Sequence, residues 1–351
     1  MPEKRVLLGF SGGMDSFAAA VLLKEAGYEV VCVHLVLHEP DPDVTVEHVQ
    51  TLTRRLELPL IVKDIRSRFR EGIILPFVET YLSGKTPNPC VWCNEQIKLQ
   101  VLADLTKEQS AQWIATGHYA KKAFDPVCKR WTITRGKDPS KDQSYFLAFV
   151  SQDHLKPLLL PLGDETKEDL RARMKAYDFP FTEQSESHDI CFLKGMTFRE
   201  FITGWTRAKP ESKGVFIDKK GRVLGTHDGF YRYTVGQRRG IGIADKTPYY
   251  VTALFPERNQ VQIGKLEDLY KSTFSVTNCH WHLPPGDETL TARCQIRYRH
   301  KAAPATLRIR NENRVEVTFT RPQRAITPGQ VVAFYKGERL MGAGIIESVA
   351  S

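Results

Sequence analysis

Short apolar runs alternate with amphipathic segments over the first part of the chain. Val6–Phe10 is an apolar run that ends at Ser-Gly-Gly, and Phe17–Leu23 then carries apolar residues in a helical pattern. Val30–Val36 and Leu60–Val62 are further strand-like runs, separated by Thr45–Leu56, whose apolar residues recur at spacings of three and four. Strands that alternate with helices predict an α/β fold with a doubly wound parallel sheet.

The α/β pattern continues to about residue 200. A helix is predicted for Phe69–Leu82, and a second helical pattern begins near Asn94, after the turn-rich sequence SGKTPNP. Trp113–Thr116 has the composition of a sheet strand. Thr166 lies three residues before Asp169, which is the spacing of a capping box at the start of a helix.

From Val215 onward, short β-rich runs are separated by turn sequences such as DKKG, PERN, NEN and PGQ. Tyr249–Gly264 has the pattern of a hairpin, and a barrel-like series of runs follows Phe274. This part of the chain is predicted to form one or two β-rich modules, with a boundary near Leu266.

Length, charge and cysteine content narrow the class of protein. With 351 residues and 41% hydrophobic content, the chain can bury several cores, and it has no run of the roughly 20 apolar residues that a membrane helix needs. Because Val6–Phe10 already resembles a buried strand, we expect no leader peptide and a cytoplasmic protein whose seven cysteines are thiols. The net charge of +9 and the pI near 9.1 favour a polyanionic partner.

The segment GFSGGMDS, Gly9–Ser16, lies between the first predicted strand and the first predicted helix. Open α/β sheets bind ligands at this position. Glycines let backbone N–H groups approach an anion closely, Ser11 and Ser16 add hydroxyl groups, and the helix N-terminus adds partial positive charge. The segment lacks both the Lys-Ser/Thr of a P-loop and the dinucleotide pattern GxGxxG, so it predicts another kind of phosphate loop.

This segment resembles the SGGxDS loop of the ATP pyrophosphatases. In that family the loop holds the β- and γ-phosphates of ATP while an acceptor oxygen attacks the α-phosphate. The resemblance implies that ATP contacts the following residues: Gly9, Phe10, Ser11, Gly12, Gly13, Met14, Asp15 and Ser16.

Two cysteines in the sequence CVWC precede the second predicted helix. If that helix begins near Asn94, Cys93 lies at its N-terminus, where the helix dipole lowers a thiol pKa, with help from Lys98. Cys191 lies far along the chain in SESHDICFLKG. The residues alone do not establish that Cys191 meets Cys93.

Further motifs follow one another along the chain: TPNPCVWCNEQIKL, ATGHYAK, KDQSYFL, SHDICF, YTVGQRRGIGI and QRAITPGQ. Together they resemble the bacterial and organellar family of tRNA-specific 2-thiouridylases, over nearly the whole chain. The resemblance implies an ATP-pyrophosphatase domain over residues 1–200, a small central β-rich domain over 201–266 and a C-terminal tRNA-binding β-barrel over 267–351.

The same resemblance implies a sulfur-transfer reaction. Cys191 receives a persulfide from a sulfur-relay protein or a cysteine desulfurase, and Cys93 matches the nucleophile of the family. ATP adenylates the 2-oxygen of the wobble uridine, after which sulfur attacks that carbon and AMP departs. Cys93 releases the sulfur by forming a transient disulfide with Cys191. The substrates implied are the tRNAs for Lys, Glu and Gln.

Cys90 leaves two other arrangements open, because family members carry either Asp or Cys at this position. Cys90, Cys93 and Cys191 could hold a [4Fe–4S] cluster with one iron open for sulfide. A structural zinc site is the other arrangement, although it lacks a clear fourth ligand because His118 and His188 are unassigned.

Cations gather around aromatic residues in the β-rich part of the chain, at Arg238–Arg239 and over Arg297–Lys301. Such clusters clamp phosphates while a ring stacks on a base. Gly117 and Leu35 match positions that line the adenine pocket, and Asp142 is also a candidate ligand for Mg²⁺. By resemblance, tRNA contacts are expected at Asn88, Pro89, Cys90, His118, Lys141, Asp142, Gln143, Arg297, Tyr298 and Gln330.

Two other classes of function stay open. Another ATP pyrophosphatase, such as a ligase or amidotransferase that adds nitrogen to an adenylated group, would need no reactive cysteine pair. A non-catalytic RNA-binding protein with a metal-bound CxxC would bind tRNA without ATP turnover.

Overall fold

A computed structural model describes residues 4–38, 42–180, 190–193, 195–205 and 213–350 of the protein. The first part of the chain contains a five-stranded sheet. Its strands are β1 (Arg5–Gly9), β2 (Glu29–Val36), β3 (Leu60–Asp64), β4 (Trp113–Ala115) and β7 (Leu158–Leu159). All neighbouring pairs are parallel, in the order β3-β2-β1-β4-β7. The strand order reverses between β1 and β4, which is where such sheets bind ligands.

Helices cover both faces of this sheet, as predicted for a doubly wound fold. Val6 and Leu8 point to one face and pack with helices α1, α2 and α8, while Leu7 points to the other face and packs with α6. The alternation follows from the two-residue period of a strand. These helices are α1 (Met14–Glu25), α2 (Pro42–Arg55), α6 (Gln100–Glu108) and α8 (Lys167–Met174).

Two longer helical segments carry a π-helical turn in the middle. The first runs through α3 (Arg66–Phe69), the π-turn Arg70–Ile74 and α4 (Leu75–Leu82), and it confirms the helix predicted there. The second runs through α5 (Pro89–Trp92) and the π-turn Cys93–Leu99 into α6. The prediction that this helix begins near Asn94 is wrong, because Asn88 occupies the N-cap position and the fixed φ of Pro89 suits the first helical position.

Shorter helices connect the remaining elements of the first part. The helix start predicted at Thr166 is confirmed, since Thr166 is the N-cap of α8 and its side chain accepts a hydrogen bond from the Asp169 amide. The other elements are the 3₁₀ turns Ser144–Leu147, Lys175–Tyr177 and Cys191–Leu193, with α7 (Gln152–Leu155) and α9 (Phe198–Trp205).

A small central sheet has the strand order β10-β11-β8-β9. Its strands are β8 (Gly214–Ile217), β9 (Val223–His227), β10 (Tyr250–Phe255) and β11 (Gln260–Gly264). The hairpin predicted within Tyr249–Gly264 is confirmed as the antiparallel pair β10–β11.

The C-terminal strands form a closed barrel. They are β12 (Tyr270–Trp281), β13 (Thr289–Gln295), β14 (Ala303–Asn311), β15 (Arg314–Arg324), β16 (Val331–Lys336) and β17 (Arg339–Val349). The barrel closes because β12 pairs with both β15 and β17. Full closure removes the exposed edges that an open sheet of this size would present.

A hairpin from the first part of the chain extends the barrel sheet. Its strands are β5 (Ala120–Asp125) and β6 (Arg130–Arg135), and β6 pairs with β17. The sequence pattern predicts α/β structure for this segment and does not predict a hairpin there. Thr132 Oγ1 donates a hydrogen bond to Leu340 O at 2.5 Å, and Arg130 Nε donates to His282 O at 2.7 Å, so the hairpin is bound to the barrel along its length.

Asp142 is the centre of a buried network at this junction. Its carboxylate accepts hydrogen bonds from Arg135 at 2.5 Å, from the amide of Gly136 at 3.0 Å, and from both the amide and the hydroxyl of Ser144. Ser144 in turn lies 3.0 Å from the hydroxyl of Tyr335 in the barrel, and the Arg135 guanidinium lies over the same ring. Asp142 therefore joins the two parts of the molecule.

We expect Asp142→Ala to lower the free energy of unfolding by about 3 kcal/mol, because it leaves the Arg135 charge and three further donors without their acceptor. The control is Asp164→Ala, which removes an exposed pair with Lys121 and is expected to cost less than about 1 kcal/mol. Chemical denaturation of both variants measures the difference. Equal stability of the two variants would contradict a structural role for Asp142.

Candidate active site at the ends of the parallel strands

The loop after β1 has the geometry of an anion cradle. Gly13 is the N-cap of α1, so the first amide groups of this buried helix point out of its N-terminus. Gly12 has φ of +80°, and a Cβ added there would lie 3.0 Å from side-chain atoms of both His48 and Val49. Only glycine suits this position, because the backbone is left-handed and its neighbours lie close.

The two serines of the loop brace it internally. Ser16 Oγ accepts a hydrogen bond from the Ser11 amide at 3.2 Å and donates one to Gly13 O at 2.9 Å. Ser11 Oγ lies 3.2 Å from Ser16 Oγ and 3.4 Å from the Gly13 amide. These bonds hold the loop in one shape before a ligand arrives. The Phe10 side chain is buried in the core, so the contact predicted between Phe10 and a nucleotide would use its backbone.

Asp15 lies in a hydrogen-bond network that no sequence motif predicts. Its Oδ1 accepts hydrogen bonds from Lys167 Nζ at 2.6 Å and from the Tyr119 hydroxyl at 2.8 Å. Lys167 is mostly buried and its backbone amide is bound to Asp138, so its cation is held beside the loop. Lys167 directly follows Thr166, and the sequence there predicts the start of a helix. It does not indicate that Lys167 lies next to Asp15.

Gly117 lies against the loop, at the carboxyl end of β4. A Cβ added at Gly117 would lie 2.9 Å from the carbonyl atoms of Asp15 and 3.1 Å from the Ser16 amide nitrogen. Leu35 is half-buried in the adjacent strand β2. The structure therefore brings the predicted nucleotide residues to one edge of the sheet, and Gly117 permits the close approach of two backbones.

Cys90 and Cys93 lie within the helix rather than before it. Cys90 is the second residue of α5, and Cys93 begins the π-turn one turn later. A π-helix closes hydrogen bonds between residues five apart, so it brings Cys93 and Lys98 towards one face, where an α-helix would separate them. π-turns of this kind often mark functional sites.

Burial dominates the electrostatics of these thiols. It raises the pKa of Cys93 to about 12, although the Lys98 charge acts in the opposite direction, and it raises the pKa of Cys90 as well. Burial also opposes the charge of Lys98, but Cys93, Cys191 and Cys90 together raise the pKa of that amine. The prediction of a lowered thiol pKa at Cys93 is wrong, because the cysteine lies inside the helix and in an apolar cluster.

Cys191 joins the same group from a distant part of the chain. Phe192 lies in a cluster of rings with Phe69, Phe77 and Phe201, at centroid distances of 5.2 to 6.0 Å. This packing holds the turn Cys191–Leu193 against the helices, while Cys191 itself is exposed. Its charge affects Cys90, Cys93 and Lys98, so the three cysteines and one lysine form a single electrostatic group.

The same region contains the candidate metal ligands. Within the described part of the chain, no three His, Cys, Asp or Glu side chains are arranged to hold a metal ion. His118 lies next to Thr116 Oγ1, at 2.8 Å, and burial together with the Lys98 charge lowers the pKa of His118 to about 3. His118 is thus a neutral ring near the cysteines. His188 lies outside the described residues.

The predicted tRNA residues divide into two groups. Asn88, Pro89 and Cys90 form the start of α5, and Gln330 Nε2 donates to Thr86 O at 3.0 Å, while His118 is influenced by the charge of Lys98 further along the same helix. Asp142 and Gln143 are engaged within the protein, because Asp142 binds four donors and Gln143 Oε1 accepts from the Tyr119 amide at 3.0 Å. The hydrogen bonds of Asp142 and Gln143 favour a role in positioning neighbouring parts of the protein.

The remaining predicted contacts lie on the barrel side. Arg297 is half-buried and donates to Arg324 O at 3.2 Å, and the Tyr298 ring lies 4.3 Å from that of Phe146. Lys141 is half-buried in the turn before Asp142. These side chains surround the 3₁₀ turn Ser144–Leu147, between the barrel and the helix that carries Cys93.

Three family models match consecutive parts of the chain. The tRNA methyl transferase HUP domain matches residues 4–195, the tRNA methyl transferase PRC-barrel domain matches 201–265, and the aminomethyltransferase beta-barrel domain matches 271–346. No helix in the described ranges has the length and apolar character needed to cross a membrane.

Curated relatives match almost the full length. The tRNA-specific 2-thiouridylase MnmA of Desulforudis audaxviator is 43% identical over 97% of this chain and 98% of its own length. The proteins of that name from Moorella thermoacetica and Geotalea uraniireducens are 41% and 39% identical, each over 98% of this chain and over 99% and 95% of their own lengths.

We expect Gly12→Ala to abolish pyrophosphate binding at the loop, because the added Cβ meets His48 and Val49 and forces the backbone to move. Gly27→Ala is a matched control, since Gly27 also has a left-handed φ, of +77°, but has open space around it. Both variants should lose about 1 kcal/mol of stability. Calorimetric titration with pyrophosphate separates them, and undiminished binding by Gly12→Ala would contradict the cradle.

We expect Lys98→Met to slow alkylation of Cys93 by about tenfold at a fixed, mildly alkaline pH, because loss of the nearby cation raises the thiol pKa further. Lys107→Met, at an exposed position of the same helix, should leave the rate unchanged. Iodoacetamide labelling followed by peptide mapping measures both rates. A faster reaction of Cys93 in Lys98→Met would reverse the assigned electrostatics.

Proposed function

This chain belongs to the family of tRNA-specific 2-thiouridylases, and we propose that it replaces the 2-oxygen of the wobble uridine in tRNA with sulfur. The observation that carries the proposal is the electrostatic coupling of Cys90, Cys93 and Cys191 to Lys98, whose charge also reaches His118, the residue after the Gly117 that lies against the phosphate loop. A phosphate site and a sulfur site in one molecule suit a reaction that activates an oxygen and then displaces it.

The first part of the reaction is assigned to the loop between β1 and α1. ATP supplies the adenylyl group that turns the uridine oxygen into a leaving group. The amides around Gly12 and Gly13 and the N-terminus of α1 would bind its phosphates, with Lys167 beside them. Magnesium would enter with the nucleotide, bound mainly by phosphate oxygens, because Asp142 already accepts bonds from four protein donors.

The second part of the reaction is assigned to the cysteines. Cys191 is exposed and receives sulfur as a persulfide from a sulfur-relay protein or a cysteine desulfurase. The terminal sulfur bonds to the activated carbon and AMP leaves with the former oxygen. Cys93 then attacks Cys191 Sγ, which breaks the bond to the transferred sulfur and forms a Cys93–Cys191 disulfide. An external dithiol reduces this disulfide and restores both thiols.

We favour this persulfide and disulfide route over a [4Fe–4S] cluster. Cys93 is 5% exposed and packs among aromatic rings, and in the described residues Cys90, Cys93 and Cys191 are not arranged to hold a metal ion together. A protonated, buried thiol is protected from unwanted oxidation until its partner carries sulfur. The iron content of active, anaerobically purified protein distinguishes the two routes, since a cluster route requires about four irons per chain.

The substrate is proposed to bind across the whole molecule. The net charge of +9 suits tRNA, and the tRNAs for Lys, Glu and Gln are the expected substrates. We keep the division into residues 1–200, 201–266 and 267–351 as a proposal, supported by the three separate sheets. The residues around Asn88 would contact the target base, and those around Arg297 the neighbouring RNA.

We expect Cys191→Ser to abolish 2-thiouridine formation while leaving tRNA-dependent release of pyrophosphate from ATP, because serine removes the sulfur carrier and leaves the phosphate loop unchanged. Cys128→Ser is the control, since Cys128 lies in the turn between β5 and β6, away from the site. Nucleoside analysis by mass spectrometry and a pyrophosphate assay measure the two steps.

The alternatives make different predictions in the same assay. Full product formation by Cys191→Ser would contradict the persulfide route, and product formation without ATP would contradict adenylation. An amidotransferase would instead incorporate nitrogen and be indifferent to this cysteine. A non-catalytic RNA-binding protein would bind tRNA and release no pyrophosphate.

A further inference from the structure

A cavity of about 450 Å³ lies where the three parts of the molecule meet. Phe77 and Tyr81 of α4 and Phe198 of α9 form its aromatic side. Thr234 and Gln237 of the central part and Gln330 of the barrel contribute polar groups. Thr86 and Pro87 also line it, directly before Asn88, and so does Ile190, directly before Cys191. The cavity therefore borders both the target-base segment and the sulfur carrier.

The walls of this cavity combine aromatic rings with polar groups, which suits a flat, polar ring as ligand. Phe198 lies 4.0 Å from Tyr81 and 5.7 Å from Phe77, measured between ring centroids, so several aromatic faces stand together. Arg232, which forms a 3.6 Å ion pair with Asp228, adds a cation to the lining. Stacking on aromatic rings combined with amide and guanidinium groups is how proteins hold unstacked RNA bases.

The walls are fixed to one another by bonds between the three parts. The Tyr81 hydroxyl is hydrogen-bonded to Thr234 Oγ1, and Gln330 Nε2 donates to Thr86 O at 3.0 Å. Gln237 is held by the Thr234 amide, which donates to its Oε1 at 3.1 Å. The cavity is thus formed in advance, which limits the entropy lost when a ligand enters.

We propose that this cavity receives one unstacked base of the anticodon loop, a direct neighbour of the target uridine, so that the enzyme reads a second base while it modifies the first. The inference rests on the proposed function. It adds a base-binding site, built from Phe198, Tyr81 and Gln237, to the reaction itself.

The surroundings favour RNA over a segment of the sulfur-donor protein. Arg238 and Arg239 follow Gln237 and are exposed, and Lys85 is exposed next to Thr86, so exposed cations are sequence neighbours of two parts of the lining. Backbone phosphates on either side of an inserted base would meet these charges. Bases next to a target uridine also reach the cavity without a second binding event, because the lining is continuous with Thr86–Pro87.

The test is a double-mutant cycle in which a substitution in the protein is combined with a change in the RNA. Affinity is measured for the full-length protein and an anticodon stem-loop, in which each base flanking the target uridine is replaced in turn by an abasic site. Loss of the inserted base should weaken binding by about tenfold, from the lost stacking. Phe198→Leu should weaken binding of the intact loop by a similar factor and should make the protein indifferent to that abasic site, while Phe198→Tyr keeps the full response.

The control is Trp205→Leu, an aromatic change on the same helix, at a partly exposed residue outside the cavity lining. It should bind both RNAs as the unaltered protein does. If neither flanking abasic site affects the unaltered protein, or if the abasic site and Phe198→Leu act additively, the inference is wrong.

A sulfur assay separates the remaining outcomes. If Phe198→Leu keeps its RNA affinity but loses turnover only with the donor protein and not with free sulfide, the cavity serves the donor and the inference fails. Thiolation of intact tRNA by the unaltered protein is measured beside the cycle. If tRNA is thiolated but the effects of Phe198→Leu and the abasic site on affinity are additive, only this inference is wrong. If tRNA is not thiolated, the proposed function is wrong, and the affinity measurements still show whether the cavity binds a base.

Discussion

The hydrogen bonds between β6 and β17 constrain the whole molecule. They make one continuous sheet from a barrel and a hairpin that belongs to the α/β part of the chain. Asp142 and Arg135 reinforce the joint from inside, with Tyr335 of the barrel against them. Removing one partner from a buried charge pair is costly, so these contacts favour the observed orientation of the barrel relative to the parallel sheet. Gln330 reaches Thr86 because of that orientation.

The cysteine group shows two opposing effects of the same packing. The ring cluster around Phe192 brings Cys191 beside Cys93 and also removes Cys93 from water, which raises its pKa to about 12. A reactive thiol at the surface would be easier to ionise and easier to oxidise. The Lys98 charge offsets part of the rise that burial causes in the pKa of Cys93, and the π-turn brings Lys98 towards the same face of the helix as Cys93. Apolar packing therefore brings the cysteines together, and among the described residues the Lys98 charge opposes the rise that burial causes in the pKa of Cys93.

Local signals allowed the fold and the phosphate loop to be predicted from the sequence. Gly9–Ser16 was identified because strand, glycine loop and helix follow one another within a few residues, and the helix start at Thr166 because its N-cap bond spans one helical turn. The start of the second helix was misplaced since a π-turn disturbs the period of its apolar residues. Lys167 was missed because its contact with Asp15 spans 152 positions. A local sequence pattern cannot predict a contact between residues so far apart in the sequence.

The different exposure of the two main cysteines gives the proposed reaction a direction. Sulfur arrives on Cys191, which solvent and a donor protein can reach, and the displacement ends on Cys93, which they cannot. Water competes with sulfur for an activated uridine carbon, so the base must be enclosed before attack. The chain alone does not close this space, since Cys191 stays exposed. The RNA itself would complete the enclosure, which links sulfur transfer to the presence of a seated anticodon loop.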